Sequence, residues 1–407
     1  MGSEWPIVSL GDLAADIQNA LVGGPFGSNL LARDRVDAGV PVIQGANMSS
    51  GRWLGGALVF VTEAKADSLA ANTARYGDII FTQRGTVGQV SLVPDTHPRF
   101  VVSQSQMKLT PDPTIAEAHY LYYYFSAPEQ LAYMKTHAIQ TGVPHTNLGI
   151  LRDSPVVLPP LGVQREIASM LGVLDDKIEL NHRMSRTLDE TARALFKSWF
   201  VAFERTDPTT ELASVWPERP LDSIAFFRNG LAMQKHPPAV GLVSVPVIKI
   251  SQLRSGETFG ADQAGLSFPS EYLVKDGDLL FSWSGSLLAD FWTSGWGALN
   301  QHLFKVEPIQ GVPNWFIYFW IREHLASFQR IAAGKATTMG HIQRGHLSAA
   351  MVPFPPAELL RAADEHLAPI MKRSLACRRE AHTLRRLRDA LLPPLLCGEL
   401  TFGDTRE

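Results

Sequence analysis

The sequence is short of the features that usually announce an enzyme, a secreted protein or a membrane protein. Its two cysteines, Cys377 and Cys397, are too few for a disulfide framework, and no CxxC pair suggests a metal ribbon. Neither sign of charge dominates: 37 Lys and Arg stand against 40 Asp and Glu, a formal net charge of −3. That excludes a polybasic nucleic-acid binder, so any contact with DNA must come from local patches or from charge lent by a partner. No uncharged apolar run is long enough to span a membrane, and the first residues, MGSEWPIVSLGDLAAD, have no signal-peptide core. The expectation is a cytoplasmic chain with no membrane contact.

Catalytic patterns are equally scarce. GxGxxG, GxSxG and the Asn/Asp-Pro-Pro-Tyr pattern that holds a target amine do not occur. Gly23–Ser28 is glycine-rich but lacks a Gly-Lys-Ser/Thr ending, so it reads as a turn and not as a phosphate cradle. Ser105–Lys108 fits SxxK within a strand-like run, a match that chance supplies. The 12 histidines show no paired metal spacing, and His341 and His346, five apart, do not share a helix face. A binding or scaffolding protein without catalytic residues, metal or cofactor of its own is expected.

What the chain does have is length without proline. From Val163 to Phe203 there is no proline and one glycine, Gly172, and Leu158–Pro159–Pro160 marks the start. Ile167, Leu171, Leu174, Ile178, Leu188, Ala192, Leu195 and Trp199 recur at steps of three and four, with polar Asn181 and Ser185 inside the series. About forty residues at ~1.5 Å each make a rod of roughly 60 Å whose stripe needs a partner. The partner is in the same chain. A shift of 196 residues carries Leu158–Pro159–Pro160 onto Phe354–Pro355–Pro356, Leu171 onto Leu367, Leu174 onto Ile370, Leu188 onto Leu384 and Leu195 onto Leu391, without a gap. Pro369 is expected to bend this second helix and Pro393–Pro394 to close it. Duplication explains this register better than two unrelated amphipathic helices do.

The duplication extends to the rest. Pro41–Asn47 matches Pro246–Gln252, Tyr76–Gly88 matches Lys275–Leu287, and Val102–Leu109 matches Leu299–Val306. In each half Gly-Asp makes a turn before an apolar strand, and a polar glycine loop follows it. Aromatic helices are expected at Ala118–Ser126 and Pro313–His324, with Tyr120, Tyr122 to Phe125 and their counterparts in the core. Polar turns at Thr141–Asn147 and Thr337–Gln343 precede a last strand. The division is 1–157 first domain, 158–203 central helix, 204–215 linker, 216–353 second domain and 354–400 distal helix and tail. The fold class is α+β: two β-rich domains, each followed by a long helix, related as a pseudo-twofold object.

At this point the residues resemble a known family. Leu158–Ala168, leading into Leu174–Ile178, and Phe196–Phe200 look like the central region of type I restriction–modification specificity subunits. Leu391–Leu400, a Leu-rich segment closing on Gly-Glu-Leu, resembles the end of their distal region. Gly77–Gly88 and Gly277–Leu287 resemble the strand and loop of their target-recognition domains. Pro356–Ala357–Glu358 departs from the Pro-hydrophobic-x-x-Gln-x-x-Ile pattern expected at the second helix. The resemblance implies two recognition domains separated by an antiparallel coiled coil, reading a bipartite double-stranded DNA target with a nonspecific spacer. It implies two methyltransferase (modification) subunits using S-adenosylmethionine and two restriction subunits using ATP and magnesium, while this chain catalyses nothing. The rival is an adaptor that spaces two protein-binding modules; a self-sufficient methyltransferase is disfavoured by the missing motifs.

Side chains able to read base edges or hold phosphates single out the matched loops. In the first domain they are Gln44, Asn47, Gln83, Arg84, Thr86, Gln104, His145 and Asn147. In the second they are Lys249, Ser251, Gln252, Trp283, Ser284, Ser286, Gln301, Lys335, Thr337, His341 and Gln343. Arg84 is the strongest, with a surface salt bridge as its bland alternative. Arg361–Arg388 holds eight basic and three acidic residues, read as a solvated face or subunit contact before a phosphate track.

Overall fold

Short β-branched runs bounded by Gly and Pro build two globular parts, each continued by pieces of both long helices. The computed structural model describes residues 5–48, 51–140, 143–202, 216–334 and 340–400. The expected linker 204–215, Lys335 and Thr337 lie outside the described residues. Unit 1 comprises the residues up to Lys177 together with those from Leu384 on, and unit 2 runs from Ile178 to Thr383.

In unit 1 an antiparallel sheet takes the order Leu21–Gly23, Gln106–Leu109, Ile79–Thr82, Val90–Leu92. A second sheet is centred on Val40–Ile43, which runs parallel to Phe100–Val102. Ile7–Ser9 pairs with Pro155–Val157. Helix α1, Ala118–Ser126, covers the first sheet, with Phe125 edge-on to Phe81 at 5.1 Å. Its tyrosines are core, as their density on a short helix predicts. Helix α2, Leu161–Phe196, begins directly after Pro159–Pro160. Its first turns bury Ile167, Ala168 and Leu171 in the same cluster as Leu392, Leu395 and Leu396.

Unit 2 repeats the pattern. Its antiparallel sheet takes the order Ala225–Asn229, Leu303–Pro308, Leu279–Ser282, Ala289–Phe291. Ser244–Ile248 lies parallel to Gly297–Leu299, and Glu218–Pro220 pairs with Met351–Pro353. Helix α3, Asn314–Ala333, is one run where unit 1 has two helices, α1 and Pro128–Thr136. Here the end of α2 meets the start of α4, Ala357–Leu396: Ala192 and Phe196 pack with Leu360, Ala363, Leu367 and Met371. Within unit 2, Ser185 meets Ser374 while Phe196 lies with Leu360, so the two helices run antiparallel there.

The deepest burial follows the line read off the sequence in part, taking in Ile167, Leu171, Ala192 and Leu367. Leu174, Leu188, Leu195, Ile370, Leu384 and Leu391 are only half-buried, while Ile178 is buried. The buried series on α4 is Leu360, Ala363, Leu367, Met371, Ser374, Cys377 and Ala381, then Leu392, Leu395 and Leu396 near its end. On α2 it ends at Ala192 and Phe196, beside Leu195, and the π-turn Lys197–Val201 that follows buries Phe200. Pro369 does not break α4. Both Pro369 and Glu365, whose carbonyl loses its N–H partner, are exposed, so water can satisfy the carbonyl. Nor do Pro393–Pro394 end the helix; it runs to Leu396 and is closed by left-handed Gly398 (φ 73°).

The departure at the start of α4 has a physical counterpart. Gln164 is fully buried in α2, donating to the Ile115 and Pro159 carbonyls (3.0 and 2.8 Å) and accepting from the Glu117 amide (2.9 Å). The shift of 196 places Leu360 there, buried in apolar surroundings, and unit 2 ties α3 to α4 by Trp315 Nε1 donating to Asp364 (2.6 Å).

Polar groups interrupt the seam in unit 2. The Ser185 and Ser374 hydroxyls lie 2.9 Å apart, and Ser374 donates to Asp189 (2.6 Å). Burial pushes the Asp189 carboxyl up, against the Ser374 hydrogen bond and Arg378. A carboxyl raised in the native state favours folding when protonated, so its ionisation costs stability as the pH rises through the native value. Asp189→Asn, which keeps an acceptor for Ser374, should therefore melt higher than the parent at pH 7. The gain should shrink to nothing as the pH falls below the usual carboxylate range, measured by calorimetry across pH.

Candidate nucleic-acid interface

Three loops meet at one end of each four-stranded sheet, and main-chain hydrogen bonds hold them. In unit 1 the Gln83 and Arg84 amides donate to the Ser105 carbonyl (2.7 and 3.2 Å), and Thr146 donates to Gln83 (2.8 Å). In unit 2 Trp283 donates to His302 (3.3 Å) and Ile342 to Trp283 (2.9 Å). Gly85 donates to Pro144, and Gly285 to Gly340. A fourth strand end closes each bracket: Gly24 donates to Gln106 and Gly230 to Leu303. Both positions must be glycine, since a Cβ would fall 1.8 Å from the Ser103 carbonyl oxygen or 2.1 Å from that of Asn300.

The Gly-Asp turns anchor the strands that carry these loops. Asp78 accepts from the Arg75 amide (2.8 Å) and Asp278 from the Lys275 amide (2.9 Å). Each faces a lysine of the neighbouring strand, Lys108 at 3.8 Å and Lys305 at 3.0 Å. Burial pushes the Asp78 carboxyl up and the Lys108 ammonium down, so at 3.8 Å their attraction does not offset lost hydration.

The frame divides the expected contact residues. Arg84 and Thr86 are exposed at the tip of the first loop, and among the described residues no carboxylate pairs with Arg84. Half-buried Gln83 and His145 flank them; His145 Nδ1 lies 3.2 Å from the Val143 carbonyl. Gln44 lines a neighbouring cavity of about 170 Å³ with Arg35, Ser103 and Gln104. In unit 2 Ser286, Ser251 and Gln343 are exposed, and half-buried His341 stands edge-on to Trp283 at 6.3 Å.

Others have side chains that brace the frame itself. Asn47 is 2% exposed; it accepts from the Gln44 amide and donates to the Gly55 and Ala57 carbonyls, spending its whole amide on the loop. Ser284 is 3% exposed and bonded to His302 Nδ1 (2.9 Å). Asn147 caps the helix Leu148–Arg152 by accepting from Ile150, and Gln252 accepts from the Lys249 amide. Gln104 braces the glycine-rich loop through the Gly27 and Leu30 carbonyls. Lys249 pairs with Asp262, Gln301 accepts from Asn300, and Trp283 Nε1 is held by the Gln301 carbonyl (3.0 Å).

Two residues at the bracket escaped the sequence reading. His302 partners Ser284, and Phe26 stands 84% exposed on the loop that Gln104 braces. Gly-Pro-Phe-Gly was legible as a turn, but nothing in it showed that the ring is left in solvent. The basic run of α4 is partly turned inward. Arg378 makes two bonds of 2.8 Å to Asp290, and Arg388 bonds Asp175 at 2.6 Å. Burial would pull both guanidinium groups down, but the facing carboxylates outweigh it and hold them charged. Asp175 also accepts from Tyr123 (2.7 Å), and Asp176 pairs with Arg52. The acidic pair inside the apolar stripe of α2 thus fastens the helix to its domain and, within unit 1, to the end of α4.

This is a duplicated loop-presenting fold: one main-chain bracket, twice, with different side chains at its tip. Residues 3–190 match the family described as the type I restriction modification DNA specificity domain. The chain is 22% identical over 358 residues to the type I restriction enzyme MjaIX specificity subunit of Methanocaldococcus jannaschii, covering 84% of this chain and 81% of that protein. It is 31% identical over 138 residues to the HindI specificity subunit of Haemophilus influenzae, covering 33% of this chain and 30% of that one. A solved specificity subunit from M. genitalium has the same fold, with a TM-score of 0.59 at 16% identity, covering 98% of this chain and 97% of that one. Residues 3–190, a little under half of the chain, thus carry this specificity domain, and the chain as a whole is similar to type I specificity subunits, which favours that reading over the adaptor.

Frame and tip residues should separate experimentally. Asn47→Ala strips three bonds from a buried loop and should lower unfolding free energy by about 1–3 kcal/mol in urea titrations. Arg84→Ala should change it by less than about 0.5 kcal/mol. Asp278→Ala leaves Lys305 facing no carboxylate and should cost about 3 kcal/mol.

Proposed function

We propose that the two brackets each read one half of a bipartite double-stranded DNA target separated by a nonspecific spacer of fixed length. As a specificity subunit the chain supplies recognition and leaves catalysis to its partners. On this reading it assembles in the cytoplasm with two methyltransferase subunits, which use S-adenosylmethionine to modify adenine, and two restriction subunits, which use ATP and magnesium. The observation that carries the proposal is the repeated bracket with unlike tips: Arg84, Thr86 and His145 in unit 1, Ser286, His341 and Gln343 in unit 2. A common frame fixes where side chains meet a groove, and the substituted side chains decide which bases are accepted. Unequal tips predict unequal half-sites. No helix among the described residues is long and apolar enough to cross a membrane.

Single-molecule methylome sequencing of cells with and without this chain, the modification subunit present in both, tests the reading. A bipartite adenine motif should vanish with the chain; a motif set that does not change refutes it. Arg84→Ala should relax or weaken one half of that motif alone, by about 1–3 kcal/mol if a bidentate base contact is lost. Equal loss of both halves would mean that Arg84 acts on phosphate or on assembly.

A further inference from the structure

In unit 1 a short arm, residues 51–54, lies along the outer edge of Val90–Leu92. The Leu92 amide donates to the Arg52 carbonyl (2.8 Å), and the Leu54 amide donates to the Leu92 carbonyl (3.0 Å). The Trp53 ring then covers Tyr76 (6.0 Å, stacked) and His119 (5.3 Å, edge-on). The Arg52 guanidinium passes Gly172, where a Cβ would lie 2.8 Å from it, and pairs with Asp176 on α2.

The supports of that arm recur in unit 2. Sheet register equates Leu92, opposite Ile79, with Phe291, opposite Leu279. The shift of 196 carries His119 onto Trp315, Gly172 onto Ala368 and Asp176 onto Lys372. All four counterparts line an open groove of about 550 Å³. The segment corresponding to the arm runs elsewhere: Glu257 pairs with His382 (3.6 Å), and the Gly256 carbonyl accepts from Ser294. Unit 2 therefore keeps the seat, and among the described residues no arm fills it.

The seat has changed in two ways. Its cation-binding carboxylate has become Lys372, exposed at the rim with Arg379, while Asp364 is committed to the Trp315 indole. Its strand edge is closed, since Arg378 takes the Phe291 carbonyl (3.1 Å) and Asp290 takes the Phe291 amide (2.8 Å). We propose that this groove docks a segment of a protein partner presenting an aromatic side chain beside a carboxylate, held through side chains and not through strand pairing. The aromatic group occupies the place that Trp53 fills in unit 1, and the carboxylate meets Lys372 where Arg52 meets Asp176.

The test uses the full chain and two probe peptides, acetyl-Gly-Glu-Trp-Leu-Gly-amide and its counterpart with Arg in place of Glu. Titration at millimolar concentration is followed at the Trp315 indole N–H by nitrogen-correlated NMR, assigned with Trp315→Phe. The Glu peptide should bind about fivefold tighter than the Arg peptide, as an exposed ion pair allows. Lys372→Glu, an exposed substitution that leaves the fold intact, should invert the order. An indole that neither peptide moves, equal affinity for both, or no inversion in the variant would overturn the proposal. So would a DNA duplex that moves the same signal and displaces the peptide. The readout is independent of the methylome experiment, so either proposal can fail alone.

Discussion

A long amphipathic helix cannot bury its own apolar stripe, and everything else in this chain follows from how two such stripes are covered. In unit 1 the cover for Ile167 and Leu171 comes from α4 and the aromatic helix α1. In unit 2 Phe196 stacks on Phe319 at 5.1 Å and meets Trp320 edge-on at 5.3 Å, so helix and domain share one core. Separating either domain from its helices would expose a continuous apolar face. Polar groups set into the stripe add direction to adhesion. Asp175 and Asp189 accept from Tyr123 and Ser374, and a slipped register would leave them buried without partners.

On this base the loops divide labour between backbone and side chain. Hydrogen bonds from Gln83 to Ser105 and from Trp283 to His302 are main-chain bonds, indifferent to which residue supplies them. Gly24 and Gly230 are fixed by the close approach of a carbonyl, and Asp78 and Asp278 by the turns they brace. Positions such as 84, 86 and 286 carry no such duty. They can change without disturbing the bracket, which is what a reader of variable sequences requires.

Much of this was legible beforehand. The ungapped shift of 196 gave the helices, and the matched Gly-Asp turns gave the strands, because spacing and turn chemistry are local properties. The individual contact residues were much less legible, for a physical reason. Asn, Gln and Ser read base edges with the same donors and acceptors that they use to brace turns. Asn47 and Ser284 have spent those groups within their own units, and Gln104 its amide nitrogen, a commitment that only the fold reveals. Pro369 failed as a signal in the opposite sense: a proline breaks a helix when the orphaned carbonyl is buried, and exposure is not written in the residue.

Unit 2 is one uninterrupted stretch of chain, whereas unit 1 needs Leu392 and Leu395 to finish its core. Of the two units, the one begun first on the ribosome is thus completed last. Its apolar face stays open while more than two hundred further residues are added, the interval from Lys177 to Leu384. Synthesis that stops short of the distal helix leaves the first unit with its loops in place and no cover on its core, a product destined for a chaperone, a protease or a borrowed helix.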